Sequence, residues 1–574
     1  MKLRLLIPAL VLMPFFVLAQ SKTDSTPVPA GRSLTQLDSV VVDELFLSAM
    51  HEKVMDNMTG ATDMLERLLR TDPANAPALY ELANLKKLKS DYNSAQILLE
   101  QATTISPNNE WYWISLAECY EKNNNAPKLE NTFNQLIKIN PKPDYYFDIA
   151  STYFIEKKYD EAITAYNELE KITGPNDDIL AAKQKIYLIQ GKIDQATADV
   201  QQMITANPRQ MHYYLLLAEL YNSNNFGDKA LKVLLDAESI DASNAQIHLG
   251  LADIYRDKKD YQGCFDQLKL AFALPDMDID QGIKIISGYF PKFPDPEAKG
   301  AALELSRLLT VAHADDAKAY TIYGDMLFEN EKYPEAKLAY QKSIALDGSR
   351  YEVYEHLVRI EISSNDPAGA IKDGENALSL FPNQAWMNYL VGVAWQQKGD
   401  ATKALSYVKN AISLETEDKD LLSLAYSSLG DIYHGQNDEK GSYDAYDKAL
   451  SYNPDNAFTL NNYAYYLSVK NENLDKAAQM AAHANELQPN TSSFEDTYAW
   501  ILFKQKNYAD AKVWIEKALL HDTTNSPIQE EHYGDIMFYL GNTDAAVQNW
   551  KKAKSHGEQS PVLDRKINER KYVE

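Results

Sequence analysis

The sequence predicts an all-α chain: a superhelical α-solenoid of about fifteen helical hairpins, ended by a C-terminal capping helix. Three observations predict it. Glycine and proline supply only 22 and 23 of the 574 residues, few turn-makers against ordinary shares of about 7% and 5%. Prolines recur at 73, 107, 141, 175, 208 and 275, with Ala242 on the one missing beat, at intervals of 33 or 34 residues. Small side chains return at one fixed place in each period. A self-similar period of this length marks stacked units, none of which can bury its own apolar face alone.

Composition narrows the function classes. With 82 acidic and 57 basic side chains the net charge is −25, which repels phosphate backbones and anionic lipid and argues against nucleic acid or a membrane surface as partner. A hydrophobic share of 45% can bury a core, so the chain is not a disordered one. Cys119 and Cys264 are the two cysteines, too few for a disulfide framework or a cysteine zinc cluster.

Taken in order, residues 1–19 read as a signal peptide. Lys2 and Arg4 precede an apolar stretch from Leu5 to Leu18, broken by Pro8 and Pro14, and Val17-Leu18-Ala19 forms a cleavage site before Gln20. The stretch is shorter than the roughly 20 apolar residues of a spanning helix. No cysteine follows it to take a lipid, so the expected product is exported, periplasmic and not a lipoprotein. Residues 20–41 open with QSKTDSTPVPAGRS and read as a flexible leader.

Units one to seven occupy 42–276, a degenerate proline-rich eighth unit 277–316, and units nine to fifteen 317–556. Later beats fall at Ala314, Gly348, Pro382, Thr416, Pro454, Pro489 and Thr523. At position 20 of each unit, where its two helices should touch, fourteen of fifteen occupants are small, running from Ala61 and Ala95 through Cys264 and Ser442 to Ala546; Leu129 is the exception. Small residues also recur at position 8, from Ala83 to Gly534. Small residues at both places let antiparallel helices approach closely, while bulky ones at positions 4, 7, 11 and 24 fill the space between units. Many of those bulky residues belong to the 37 tyrosines, which are therefore mostly packing.

In period and in these small positions, residues 42 to about 556 resemble the tetratricopeptide repeat (TPR) family. The resemblance implies a right-handed superhelix of hairpins whose concave wall, made by the first helix of each pair, binds peptides or partner proteins. Together with the signal and the segments LNNYAYYLS, EDTYAWIL and EHYGDIM, the chain also resembles exported repeat proteins of the Gram-negative, particularly Bacteroidota, envelope. Asp24-Ser25-Thr26 in the leader resembles an O-glycosylation site of such proteins.

The eighth unit breaks the pattern because Pro291, Pro294 and Pro296 stand where a short inter-helix turn belongs, and proline cannot continue a helix. A tolerated loop insertion and a hinge are both open readings. In residues 557–574, PVLDRKINERKYVE can form one more helix, with Val562, Leu563 and Ile567 against the last unit and its charged remainder in water.

No glycine-rich phosphate loop, G-x-S-x-G elbow or H-E-x-x-H helix occurs. The ten histidines are scattered, and His248 reads as a packed interface residue. No enzyme activity, cofactor or metal is expected. What remains is the wall of first helices. In its front half it carries Tyr80, Asn84, Trp111, Glu118, Phe147 and Ser151, without the Lys and Asn pairing by which some chaperone-binding members of the family clamp a carboxylate. In its last three units it carries Asn461, Asn462 and Tyr465, then Asp496 and Trp500, then Glu531, His532 and Asp535. Amides that can bond an extended peptide and aromatics with a polar edge converge there, making those eight residues the expected partner-binding surface. The alternative is that acids following a small residue, such as Asp325, Asp431 and Asp535, are simply solvated groove side chains.

The expected function is a non-catalytic periplasmic scaffold or adaptor that binds other proteins or extended peptides in the groove, in envelope assembly or secretion. A regulatory subunit that activates a cell-envelope enzyme is the alternative. The sequence leaves the oligomeric state open.

Overall fold

The structure, a computed structural model, describes residues 34–293 and 295–574. The signal peptide and Asp24-Ser25-Thr26 lie outside the described residues. Everything regular in the described residues is helical: thirty-one α-helices and one 3-10 turn, with no strand among them. The helices alternate as antiparallel pairs, fifteen in all, followed by a lone helix, Pro561–Glu569.

The local cause of the pairing repeats. In most pairs a first helix of about thirteen residues ends, the chain takes one residue in the left-handed region, and an Asn or Asp side chain caps the second helix. Lys158, Lys192 and Lys332 stand at that place without a side-chain cap. Between Ala76–Leu88 and Tyr92–Ile105, for example, Ser90 has φ 59° and the Asp91 side chain accepts from the Ser94 N–H. Asn124, Asn365 and Asn437 hold the same turn position, as does Gly399, and Asn and Gly tolerate it best. Each cap satisfies a helix-end N–H that would otherwise lack a partner.

The chain divides into two compact units between Leu234 and Leu235. In the first, Ala61, Ala95, Ala162 and Ala196 are fully buried at the helix crossings, and Leu65, Leu68, Leu99 and Leu136 fill the layers between hairpins. In the second, Ala302, Ala336, Ala370, Ala404, Ala477, Ala511 and Ala546 are likewise fully buried. Leu129, the one large residue in the series, is only half-buried.

Two expectations need correction, the leader and the capping helix, and the eighth unit gains its detail. The first helix is Gln36–Val54, so residues 36–41 are helical rather than leader; Thr35 and Asp38 close a capping box at its start. In the eighth pair the first helix, Ile279–Ser287, has nine residues, and a 3-10 turn, Phe290–Lys292, leads to Asp295, which caps Pro296–Ala312. The prolines thus shorten one helix and start the next, while Ile286, Ala302, Leu305 and Leu309 remain in one core with Leu249 and Met326. Finally, the capping helix does not keep all its charges in water: Leu563 is fully buried, and Lys566 is 4% exposed.

Candidate partner-binding surface

In three hairpins position 9 of the first helix meets position 24 of the second, and the same lock is built. A glycine at position 8 opens space for an aromatic ring: a Cβ on Gly324 would sit 2.6 Å from Tyr340, and one on Gly430 2.7 Å from Tyr446. Gly534 faces Trp550 in the same way. The ring then reaches the next residue. Tyr340 donates to Asp325 (2.7 Å), Tyr446 to Asp431 (2.5 Å) and Trp550 Nε1 to Asp535 (2.9 Å). Burial raises the pKa of Asp325 and Asp431 above the usual carboxylate range, and that of Asp535 to about 6. Where position 24 is Leu268, the lock is missing; Asp253 stays exposed and pairs with Arg256 at 2.7 Å. These acids are neither free binding groups nor simply solvated. The sequence signal was Gly-Asp followed fifteen residues later by Tyr or Trp.

The eight residues expected to bind a partner fall into two groups. Asn462, Tyr465, Asp496 and Trp500 are half-buried and keep part of their surface on the first-helix face. Asn462 donates to Asp431 (3.3 Å), and Asn461, buried behind it, donates to Asn462 (3.3 Å). Burial, then the charge of Asp496, pushes the Tyr465 phenol up.

His532 is drawn inward. Its Nδ1 lies 2.8 Å from Asp496, and its ring stacks on Trp500 with centroids 4.1 Å apart. Burial works against its charge, but Asp496, Asp535 and Glu531 outweigh that and hold its pKa above the ordinary value.

Asp535 and Glu531 serve the cap. Lys566, from the helix Pro561–Glu569, stands 2.7 Å from each carboxylate. Asp535 is 1% exposed, so in this structure it is a packing group and not a partner contact. Tyr572 follows the cap back over the same hairpins, its ring centroid 5.8 Å from Phe503 and 5.2 Å from Tyr539.

In the first compact unit the first-helix face is more open. Trp111 is 67% and Phe147 40% exposed on successive hairpins, while Tyr80 packs on Tyr112 with centroids 5.0 Å apart. Glu118 is held by Lys87. Besides Leu129, the small-residue series has a second departure. His248 is buried between Gln267 (2.7 Å) and the Ala242 carbonyl (3.0 Å), but Cys264 is only half-buried. It lines a cleft of about 1250 Å³ beside the shortened helix, with Phe265, Tyr289, Lys284 and Lys292.

Among the described residues no group of three or more His, Cys, Asp or Glu side chains is placed to hold a metal ion, and no helix is long and apolar enough to cross a membrane.

Comparison with protein-family models agrees with this construction. Tetratricopeptide repeat family models match residues 297–553, 88–150 and 143–174. Among curated proteins, a BBSome complex member BBS4 homolog of Drosophila melanogaster is 21% identical over 49% of this chain and 59% of its own length. The TPR repeat-containing protein MJ1428 of Methanocaldococcus jannaschii is 23% identical over 67% of this chain and 70% of its own. The chain thus spans less than two thirds of the first of these relatives. Of solved structures, Naa15/Naa10 bound to HypK-THB covers 92% of this chain and 90% of its own, at 13% identity and a TM-score of 0.35. Across residues 88–174 and 297–553 the chain carries tetratricopeptide repeats.

Proposed function

We propose that this chain is a non-catalytic scaffold that holds segments of other proteins against its first-helix faces. One observation carries the reading: Trp111 leaves 67% of its surface in water, with Phe147 beside it on the next hairpin. A tryptophan buries up to about 250 Å² when covered, and exposed aromatics on a rigid wall are the usual anchors of protein contacts. The half-buried row Asn462, Tyr465 and Trp500 is the corresponding surface in the second unit. Tetratricopeptide repeats in general mediate protein–protein interaction, which agrees with this reading.

The place of action follows from the first nineteen residues. We take the chain to be exported to the periplasm of a Gram-negative cell, cleaved after Ala19, and to act in envelope assembly or secretion. Protein recovered from the periplasm should begin at Gln20 on N-terminal sequencing; a retained Met1 would refute export by cleavage. For the binding surface, Trp111→Ala with Phe147→Ala, and Asn462→Ala with Trp500→Ala, should each lose partners that the natural chain retains on affinity capture from the native envelope. Equal capture by both variants, with unchanged circular dichroism, would remove the assignment. If a captured partner is an enzyme whose turnover rises when the chain is added, the chain is an activating subunit instead.

A further inference from the structure

The helix Pro561–Glu569 closes the last hairpin with Leu563 and Lys566, and the chain goes on past it. Arg570 takes φ 51°, in the left-handed region, and turns the chain. Residues 571–574 then run without helix. Among the described residues, no backbone hydrogen bond outside the helices reaches them. Side-chain contacts hold them instead: Arg570 pairs with Asp544, Lys571 with Glu569 at 2.8 Å, and Glu574 with Lys504 at 3.4 Å. Lys566 Nζ stands 5.1 Å from the centroid of the Tyr572 ring.

The place where Tyr572 lands is complete without it. Phe503 and Tyr539 lie at the ends of two successive first helices, Tyr508 opens the second helix between them, and the three rings pack on one another with centroids 4.8 to 5.6 Å apart. Tyr572 adds a fourth ring from outside, tilted against Phe503 and edge-on to Tyr539, and stays half-buried. Phe503 in turn stacks on Trp500 with centroids 5.0 Å apart, so this notch continues the half-buried row assigned to partners in the second unit. Clustered rings receive another ring by offset or edge contact, and Lys504 beside them offers a charge to an acid. We infer that residues 570–574 are a tethered occupant of a tyrosine-binding notch, and that a partner segment bearing an aromatic side chain and, two residues on, an acid must displace them to bind. The inference rests on the first-helix faces being binding walls and names the chemistry of what binds at this one.

A tethered segment competes at an effective concentration of about 1 mM. With a Kd of about 100 µM for the notch it fills the site about nine-tenths of the time, and a competing segment binds about tenfold more weakly. The probe is a fluorescent peptide of residues 568–574, NERKYVE, followed by anisotropy. It should bind a chain ending at Glu569, which retains Leu563 and Lys566, about tenfold more tightly than the natural chain. Tyr572→Ala in the full chain should reproduce that gain, because no ring then fills the notch. Tyr539→Ala, at a residue 44% exposed, should abolish binding to the shortened chain with circular dichroism unchanged. Replacing the tyrosine of the peptide by alanine should do the same, and replacing its last glutamate by lysine should weaken binding. Equal binding by the natural and shortened chains overturns the inference, as does no binding to the shortened chain up to about 2 mM. Binding that survives Tyr539→Ala equally overturns it. None of these results touches Trp111 and Phe147 of the first unit, whose capture of partners is measured separately.

Discussion

Position 11 of the first helix holds a tyrosine in six of the fifteen hairpins, as at Tyr120, Tyr187 and Tyr433, but in the hairpin Tyr351–Ser363 it holds Glu361. The side chain is fully buried, with Lys337 at 3.0 Å, and burial lifts its pKa to about 7. The folded chain therefore keeps a proton here that the unfolded chain gives up near the ordinary value of 4.5. Stability carried by this proton is present in full below pH 4.5 and is lost as pH rises through about 7. Local stability of this hairpin should fall over that window by at most about 1.4 kcal/mol per pH unit, and Glu361→Gln should flatten the slope, as followed by amide exchange at several pH values. A slope unchanged by Glu361→Gln would place the effect on another group. At this scale the sequence was half legible. Ala61 through Ala546 could be read because the same steric demand is made fifteen times over. Lys566 could not, since its side chain is ordinary helix-surface charge until Glu531 and Asp535, more than thirty residues away, form a pocket around it.

At the scale of the helix, the Gly-Asp lock and the cap make separate predictions. Gly430→Ala gains helix propensity but drives a methyl group into Tyr446, which is fully buried and cannot yield. Overpacking of this kind costs about 1–3 kcal/mol, so the hairpin Lys419–Gly435 with Glu439–Tyr452 should show faster amide exchange despite the better helix former. Exchange slowed by the alanine would mean that the ring has room to move. Lys566→Met keeps the length of the side chain but leaves Asp535 and Glu531 facing each other without their cation. Removing one partner of a buried pair costs about 3–5 kcal/mol; Pro527–Tyr539 and Pro561–Glu569 should both lose protection, and adding Asp535→Asn should restore part of it. The lock was hidden in plain residues: Asp431 reads as a groove acid, and Gly430 and Tyr446 fall at a small and a bulky position of the repeat, yet their meeting depends on how closely two helices cross, which spacing alone does not give. The shortened helix Ile279–Ser287 was legible as a fault from its prolines. Its incorporation into one core was not, because that depends on Leu305 and Leu309 of the following helix.

For the molecule as a whole, stability is a sum over hairpins and their neighbours. Heating or denaturant should therefore unfold the chain in more than one step, and Lys566→Met should move only the step that includes the last hairpins, leaving exchange in Gln36–Val54 through Tyr92–Ile105 unchanged. A single cooperative transition shifted as a block would contradict this. The locks also bear on time. Each joins groups only fifteen residues apart, so its loop closes early, on the timescale of a local hairpin and not of a distant pairing. A chain emerging residue by residue can thus secure one hairpin before the next has been delivered, and the order of assembly is written along the polypeptide itself.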